Sequence, residues 1–488
     1  MPAAAGWRTN SARGLLSGGR LHSRGYDVRR DGAPQYAVRG GLAGIDARRR
    51  RERLNCVSTA AIADDSRSHP VEPETAPTLL DTTIQKCPYR TYELLRDEHP
   101  VYLDPKANVY VITRYDDVQM VMLDPTTFSS LMHVENMRDT ALGARAQRMR
   151  NVYAEKGWKR YDGSIGGTDD PEHREIRRRF DAAFNPARIR EFDPIVRDAA
   201  YELVDSFSAD GHCEIVRQLA TPLPIKMICS LVGAPTEAVP IIERCVAATV
   251  ARLHMTLSEE EELEAVETEI RAQHYFKSMI DELRSNPTDT VLSDLVNKPK
   301  ADGSLTSDGQ LLTHLLDDIF LAGVETSGHV IASGALLLCE HPHIQRTVRA
   351  EPDKHMRRFV EEVLRIESPV QGIYRRTTRD VTLRGVDIPR GAMVVARFGA
   401  ANRDPRKFPD PERFDIERQK AAPHFAFGQG IHSCIGAALA RRELHWAFTA
   451  LLDRTDNIRL RPGETPDYEP SVIFRALKSV HVEFDRRS

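Results

Sequence analysis

From Ser307 to Leu338 the chain carries a helical pattern that is too long and too apolar to lie on a surface. Ser307 and Gln310 have the S-x-x-Q spacing of a capping box. Leu311, Leu312, Leu315, Leu316, Ile319 and Phe320 follow as a broad apolar stripe. The pattern runs on past Ile331 and stops before His341-Pro342. It predicts one long helix crossing the middle of the molecule, with the rest built around it. Its centre breaks the pattern. Ala322-Gly323-Val324-Glu325-Thr326-Ser327 sets two small residues, an acid and an alcohol into an apolar helix. Glycine costs about 1 kcal/mol in a helix interior relative to alanine, and a buried glutamate is expensive unless paired. Either something approaches the helix closely there and protons move, or the segment is an exposed turn with a harmless glycine.

The rest of the chain is consistent with a large helical body. Its 488 residues can bury most of their apolar surface and enclose a large cofactor. Pro88 to Leu95 forms a short amphipathic helix. Val101-Tyr102-Leu103 and Val109 to Ile112 flank a turn at Pro105 to Asn108, the signature of a hairpin. From Ala182 to Val363 the apolar spacing is mostly helical, as at Ile225, Ile228, Leu231 and Val232. Short strand-like runs return at Val381-Thr382-Leu383, Val386-Asp387-Ile388 and Met393-Val394-Val395. The expected fold class is mainly α with small β-sheets, as one domain over 77–488. The segment 1–76 is set apart. Up to residue 53 it holds twelve arginines and no lysine. It reads as a disordered leader or a mis-called start, with an organelle transit peptide as the other compositional match.

Charge and cysteine usage exclude several classes. The net charge of -3 argues against a nucleic-acid partner. No run of 18 apolar residues marks a transmembrane segment. The seven cysteines are scattered and lack a CxxC pair, which argues against a disulfide framework or a zinc site and fits a reducing cytoplasm. One cysteine stands out by its neighbours. In Phe425-Ala426-Phe427-Gly428-Gln429-Gly430-Ile431-His432-Ser433-Cys434-Ile435-Gly436, glycines allow a tight loop, and the strong helix former Ala437 to Leu444 follows. Cys434 then sits at a helix N-terminus, where the dipole and backbone N–H groups favour a thiolate.

The segment F-G-x-G-x-H-x-C-x-G resembles the haem-binding signature of the cytochrome P450 superfamily, in its soluble bacterial form. Phe427, Gly428, Gly430, His432, Cys434 and Gly436 stand at its fixed positions. The resemblance implies haem b (iron protoporphyrin IX) with Cys434 as the iron's axial ligand, a thiolate that pushes electron density toward the metal. Ala322-Gly323-x-Glu325-Thr326 resembles the family's oxygen-activation segment. It implies proton relay by Glu325, a hydrogen bond from Thr326 toward dioxygen, and a helix opened to oxygen at Ala322 and Gly323. Glu362 and Arg365 match an E-x-x-R pair, with Arg413 implied as the third member of a structural network under the cysteine loop. His173 and Arg177 match the H-x-x-x-R of a helix that holds haem propionates. Arg375 and His432 are implied as further propionate partners, and Arg376 is an adjacent alternative to Arg375.

By the same resemblance the chain is a monooxygenase. It would insert one atom of O2 into a hydrophobic small molecule such as a terpenoid, a steroid or an aromatic acid. The substrate would be held among Phe128 to Thr168, Ala247 to Lys277, the central helix, Val370 to Ile373 and Val472 to Phe474. No segment binds a dinucleotide, so electrons would come from a ferredoxin and its NAD(P)H-dependent reductase. Arg174, Arg178, Arg441 and Arg442 would form an acidic ferredoxin's landing face, or a solvated charged face. Arg138, Arg145, Arg148, Arg150, Lys156, Lys159 and Arg160 either anchor a substrate carboxylate or form a solvated basic helix. A peroxide-driven peroxygenase, a haem-thiolate isomerase or dehydratase, and a non-enzymatic haem sensor or carrier are the alternatives.

Overall fold

A computed structural model of the chain describes residues 76–131, 141–158, 163–253, 257–419 and 422–487. The expected leader lies outside the described residues except for its last position, as do Arg138, Lys159 and Arg160.

The long helix exists and organises the molecule. It runs from Asp308 to Glu340, with Ser307 Oγ accepting from the N–H of Gln310 at its start. It ends where His341 leaves helical geometry and Pro342 begins the next helix. By length and composition it could cross a membrane, but 61% of its most apolar window is buried inside the protein. The helix Pro222–Val232 and the helix Ala437–Arg454 pack directly against it. Pro222–Val232 brings Ile225, Ile228, Leu231 and Val232 into the core, as their spacing predicts. The central helix is not uniform. His314–Leu321 is a π-helical segment and Ala322–Glu340 is α-helical. Such widened turns are rare and concentrate at functional positions.

The sheets are small and sit beside the helices. The hairpin β1 (Val101–Asp104) and β2 (Val109–Ile112) forms as expected. Asp104 builds its turn, accepting from the N–H groups of Lys106 and Ala107, while Asn108 takes a positive φ of 53°. These strands extend through β8 (Met393–Ala396) and β5 (Ile373–Thr377) to β3 (Phe128–Ser129) in the order β1-β2-β8-β5-β3. Only the β2–β8 pairing is parallel in that sheet. Strands β6 (Val381–Leu383) and β7 (Val386–Ile388) form a separate hairpin. A third sheet has the order β4-β10-β9, from His212–Glu214, His481–Arg486 and Thr455–Leu460. One cysteine departs from expectation: Cys87, just after the helix Thr82–Lys86, is disulfide-bonded.

Two contacts lock the central helix to the helix that follows Cys434. At Gly334 an added Cβ would fall inside the contact shell of the Phe448 ring. At Ser327 the hydroxyl hydrogen-bonds Glu443, whose carboxyl burial pushes up to about 7 against that hydrogen bond. Gly334→Ala is expected to destabilise the fold by about 1–3 kcal/mol, the usual cost of overpacking. Urea unfolding of Gly334→Ala and of its double variant with Phe448→Leu checks this, the second change restoring most of the loss. For Glu443 the folded state keeps a proton that the unfolded chain releases above its ordinary pKa of 4.5. Its contribution is therefore present at low pH and is lost as pH rises toward 7. Glu443→Gln should gain stability relative to the parent between pH 4.5 and 7.5, on the order of 3 kcal/mol, measured by unfolding at both pH values.

Candidate functional site

The cysteine loop is fixed at both ends before Cys434 is reached. Phe425 is fully buried, stacked 5.6 Å from Phe398, and its N–H donates to Asn402 Oδ1 at 2.7 Å. The N–H of Gly428 returns to the carbonyl of Phe425, and the N–H of Cys434 to the carbonyl of Phe427, both at 2.8 Å. Gly430 has a φ of 75°, and a Cβ there would sit 2.5 Å from the carbonyl oxygen of Met122. Only glycine fits that turn against the neighbouring helix Tyr115–Leu123. Gly436 then caps the helix Ala437–Arg454. Phe427 lies under the Arg441 guanidinium, 4.4 Å away.

Cys434 has accessible surface, yet protein surrounds it, because that surface faces an internal cavity. Burial pushes its thiol pKa up, so burial outweighs the helix terminus. The backbone N–H groups of Gly436 and Ala437 and the charges of Arg177 and Arg441 pull the other way, as the loop sequence predicts. The cavity has a volume of about 530 Å³. His173, Arg177, His432 and Cys434 line one part of it, and Asp317, Asp318, Leu321 and Ala322 of the central helix another.

The basic residues at the cavity are unequal. His173 and His432 face each other with ring centroids 4.2 Å apart and planes tilted by 54°. His432 Nε2 meets Ser130 Oγ at 2.9 Å, and Asp169 holds the N–H of Ser130 at 2.9 Å. His173 Nε2 and His432 Nδ1 are buried without a hydrogen-bond partner among the described residues. Burial lowers both imidazole pKa values, that of His432 to about 4 with help from the charges of Arg375 and His173. Arg375 is 4% exposed and donates to the carbonyl of its neighbour Tyr374. Burial lowers its pKa to about 10, although Asp169 opposes this. Arg376 points to the opposite face of β5 and is more exposed, which favours Arg375 as the inward residue. Arg177 is turned toward the loop, donating to the carbonyls of Ser433 and Ile431 and to Asp181. It braces the cysteine loop as well as lining the cavity.

On the central helix, Ala322 has accessible surface and lines the cavity. Thr326 Oγ1 donates to the carbonyl of Ala322 at 2.7 Å, one turn back. Glu325 and Thr326 are not among the residues lining this cavity. Gly323 corrects an expectation. Its Cβ position points at Ile228, whose Cδ1 would be 2.7 Å away, so its small size admits the neighbouring helix.

A second correction concerns the buried network under the loop. Glu362 and Arg365 pair through two 2.8 Å bonds, and both are nearly fully buried. The third side chain is Arg418, whose Nε reaches Glu362 Oε1 at 3.2 Å. Arg413 is exposed and contributes only its carbonyl, which accepts from Arg365 and Arg418. The two arginines are five residues apart in one loop, and nothing in their immediate sequence separates them.

Three further features complete the surroundings of the site. Asp318 accepts from the N–H of Ile165 with both oxygens and lies 2.8 Å from His314 Nδ1, tying the π-helical segment to the loop across the cavity. Arg252, Thr249 and Glu262, inside the expected span Ala247 to Lys277, add polar groups to a cavity wall that is otherwise mostly apolar. Three basic residues of the helix Ala141–Lys156 pair with the acidic helix Glu259–Ser285, as Arg145–Glu262, Arg148–Glu259 and Lys156–Glu267, while Arg150 donates to Gln147 on its own helix. They bridge helices and do not wait for a substrate carboxylate.

The residues present fit haem. Its two propionates would supply acceptors for Arg375 and for the unpartnered ring nitrogens of His173 and His432. Cys434 meets the same cavity with a sulfur already approached by backbone N–H groups. The buried network separates two outcomes. Arg418→Ala should leave Glu362 partly unpaired, destabilise the protein by about 3–5 kcal/mol and impair haem retention. Arg413→Ala should stay within about 0.5 kcal/mol of the parent. Thermal unfolding and haem content of the two variants check this.

Comparison with known proteins agrees with this geometry. The family model described as Cytochrome P450 matches residues 255–474. The chain is 33% identical over 409 residues to the cytochrome P450 monooxygenase PikC of Streptomyces venezuelae, covering 82% of this chain and 91% of the relative. It is 30% identical to the vitamin D(3) 25-hydroxylase of Pseudonocardia autotrophica, covering 84% of this chain and 97% of that one. Among solved structures, the cytochrome P450 PksS of Bacillus subtilis 168 superposes with a TM-score of 0.73 at 28% identity, covering 84% of this chain and all of that one. A cysteine loop closed over a buried sulfur, unpartnered bases beside it and full-length relatives of one kind lead to one conclusion: the chain belongs to the cytochrome P450 family of haem-thiolate oxidoreductases.

Proposed function

We propose that this oxidoreductase inserts one atom of O2 into a small organic molecule, with electrons delivered by a separate ferredoxin and its NAD(P)H-dependent reductase. One observation carries the reading: Cys434 opens into a cavity that the central helix also lines, with two imidazoles on its wall that have a ring nitrogen without a partner among the described residues. When bound there, haem supplies the redox chemistry that activates dioxygen. The protein supplies the rest. Cys434 would supply the sulfur ligand, and the Gly436 and Ala437 N–H groups would spread its charge. Arg375, His173 and His432 would hold the propionates, while Arg177, Glu362, Arg365 and Arg418 keep the loop in place. Glu325 delivers protons toward the Thr326 hydroxyl. That hydroxyl, held on the Ala322 carbonyl in the structure, must turn from it to hand the proton on.

The substrate in this reading has an apolar body with polar substituents. Leu253, Leu321 and Ile435 offer apolar contact, and Thr249, Arg252 and Asp317 offer hydrogen bonds. The relatives named as hydroxylases of vitamin D(3) and of 6-deoxyerythronolide B are consistent with that description. A terpenoid or steroid bearing oxygen fits better than an aromatic acid, since Asp317, Asp318 and Glu262 share the wall. The donor would land near the proximal face. Arg174 is 72% exposed there, Arg178 is exposed, and Arg441 and Arg442 keep about two-fifths of their side chains open while pairing with Glu361 and Asp193.

Thr326→Ala tests the reading. It should bind haem and shift the Soret band with substrate as the parent does. Product formed per NAD(P)H consumed should fall by roughly tenfold or more, the missing equivalents emerging as hydrogen peroxide. Parental coupling in that variant would remove the assigned role.

A further inference from the structure

Glu325 has an imidazole for a neighbour. His329 follows it at i+4 on the central helix, with Nε2 3.2 Å from Glu325 Oε2. The pair is within ionic reach but is not aligned as a hydrogen bond, and that nitrogen, though buried, has no other partner among the described residues. Catalytic hydrogen bonds are often loose until a substrate is in place. The His329 ring keeps 14% of its side-chain surface open while Nε2 is buried, so water reaches the ring by another edge. Phe474 meets the ring edge-on at 5.8 Å. One turn further, the Ser333 hydroxyl is buried without a partner. Glu325, His329 and Ser333 therefore form a polar row at i, i+4 and i+8 in a helix otherwise packed with Val330, Ile331, Ala332 and Ala335. Glu443 of the cysteine helix reaches this helix at Ser327. A row of buried polar groups beside the acid costs stability and gives the packing nothing in return.

We propose that His329 is the proton station behind Glu325, a proposal that rests on Glu325 being the donor toward Thr326. In the step, the Nε2 proton passes to the Glu325 carboxylate at Oε2 and Nδ1 takes a proton from hydronium in the solvent, leaving water. One proton enters the ring and one leaves it. The ring then carries its proton on Nδ1, and the reset is the return of that proton to Nε2 by rotation or through water. His329 touches no substrate and acts through Glu325, so it is a positioning and relay residue.

The test uses the haem-loaded full chain with a surrogate ferredoxin and reductase. The variants are His329→Ala, His329→Gln and Glu325→Gln. In the ferrous protein bound to carbon monoxide, with histidine labelled by nitrogen-15, the ring signals lost in His329→Ala belong to His329. Glu325→Gln should move those signals, and signals that stay in place would overturn the contact. Both His329 variants should lower product per NAD(P)H by about tenfold, below the range of a direct general acid, and change the solvent isotope effect on turnover. Glutamine keeps a hydrogen-bond donor but cannot relay, so parental coupling in His329→Gln would reduce His329 to a brace and overturn the proposal. Parental coupling in Glu325→Gln would instead remove the donor role of Glu325 itself, and the relay with it. That failure is separable, because the nitrogen-15 contact is read without turnover.

Discussion

A guanidinium with only 2% of its side chain exposed, Arg365, holds the floor of the molecule together. It pairs with Glu362 and donates to the backbone carbonyls of Asn402, Pro411 and Arg413. Glu362 in turn accepts from the N–H of Asp415 and from Arg418. An ion pair buried this deeply adds little stability by itself, but breaking it is costly, because the remaining charge has no water to turn to. The loop between Asn402 and Arg418 therefore has one arrangement that satisfies its charges. Asn402 carries the constraint onward by accepting from Phe425, and so sets where the cysteine loop begins.

Electrostatics divides the cavity in the same spirit. His173 and His432 stand together on one part of the wall, and the charge of buried Arg375 acts on His432 from behind, which suits an anionic group. Asp317, Asp318 and Glu262 stand on the wall elsewhere, with Arg252 among them. Hydrogen-bond donors therefore belong to the cofactor end, and the remaining wall suits neutral or hydrogen-bond-donating groups.

Much of this was legible in the residues, and the failures have physical causes. The central helix was readable from Ser307 to Leu338 because capping and apolar period agree, and the hairpin because Asp104 and Asn108 carry turn chemistry. Cys434 was readable from glycines whose positions only a tight loop requires. Arg418 was not. Arg413 and Arg418 differ only in how an irregular loop folds back, which no local period encodes. The small size of Gly323 was noticed, but the approaching group was Ile228 from a helix about a hundred residues earlier in the chain. The π-helical segment left no trace, and neither did the tertiary bonds from the Ile165 N–H to Asp318 within it. The basic helix Ala141–Lys156 looked like an anchor or a wet surface until its acidic partner, more than a hundred residues away, was brought alongside.

That last pairing has a mechanical consequence. Arg148–Glu259 and Lys156–Glu267 lie in water, where added salt shortens the screening length below its ordinary value of about 8–10 Å and so weakens such exposed pairs. The Glu362–Arg365 pair is sealed from those ions. Ionic strength therefore acts on the two halves of the molecule unequally. Raising it loosens the clasp between the helices Ala141–Lys156 and Glu259–Ser285 and leaves the cradle of the sulfur as stiff as before.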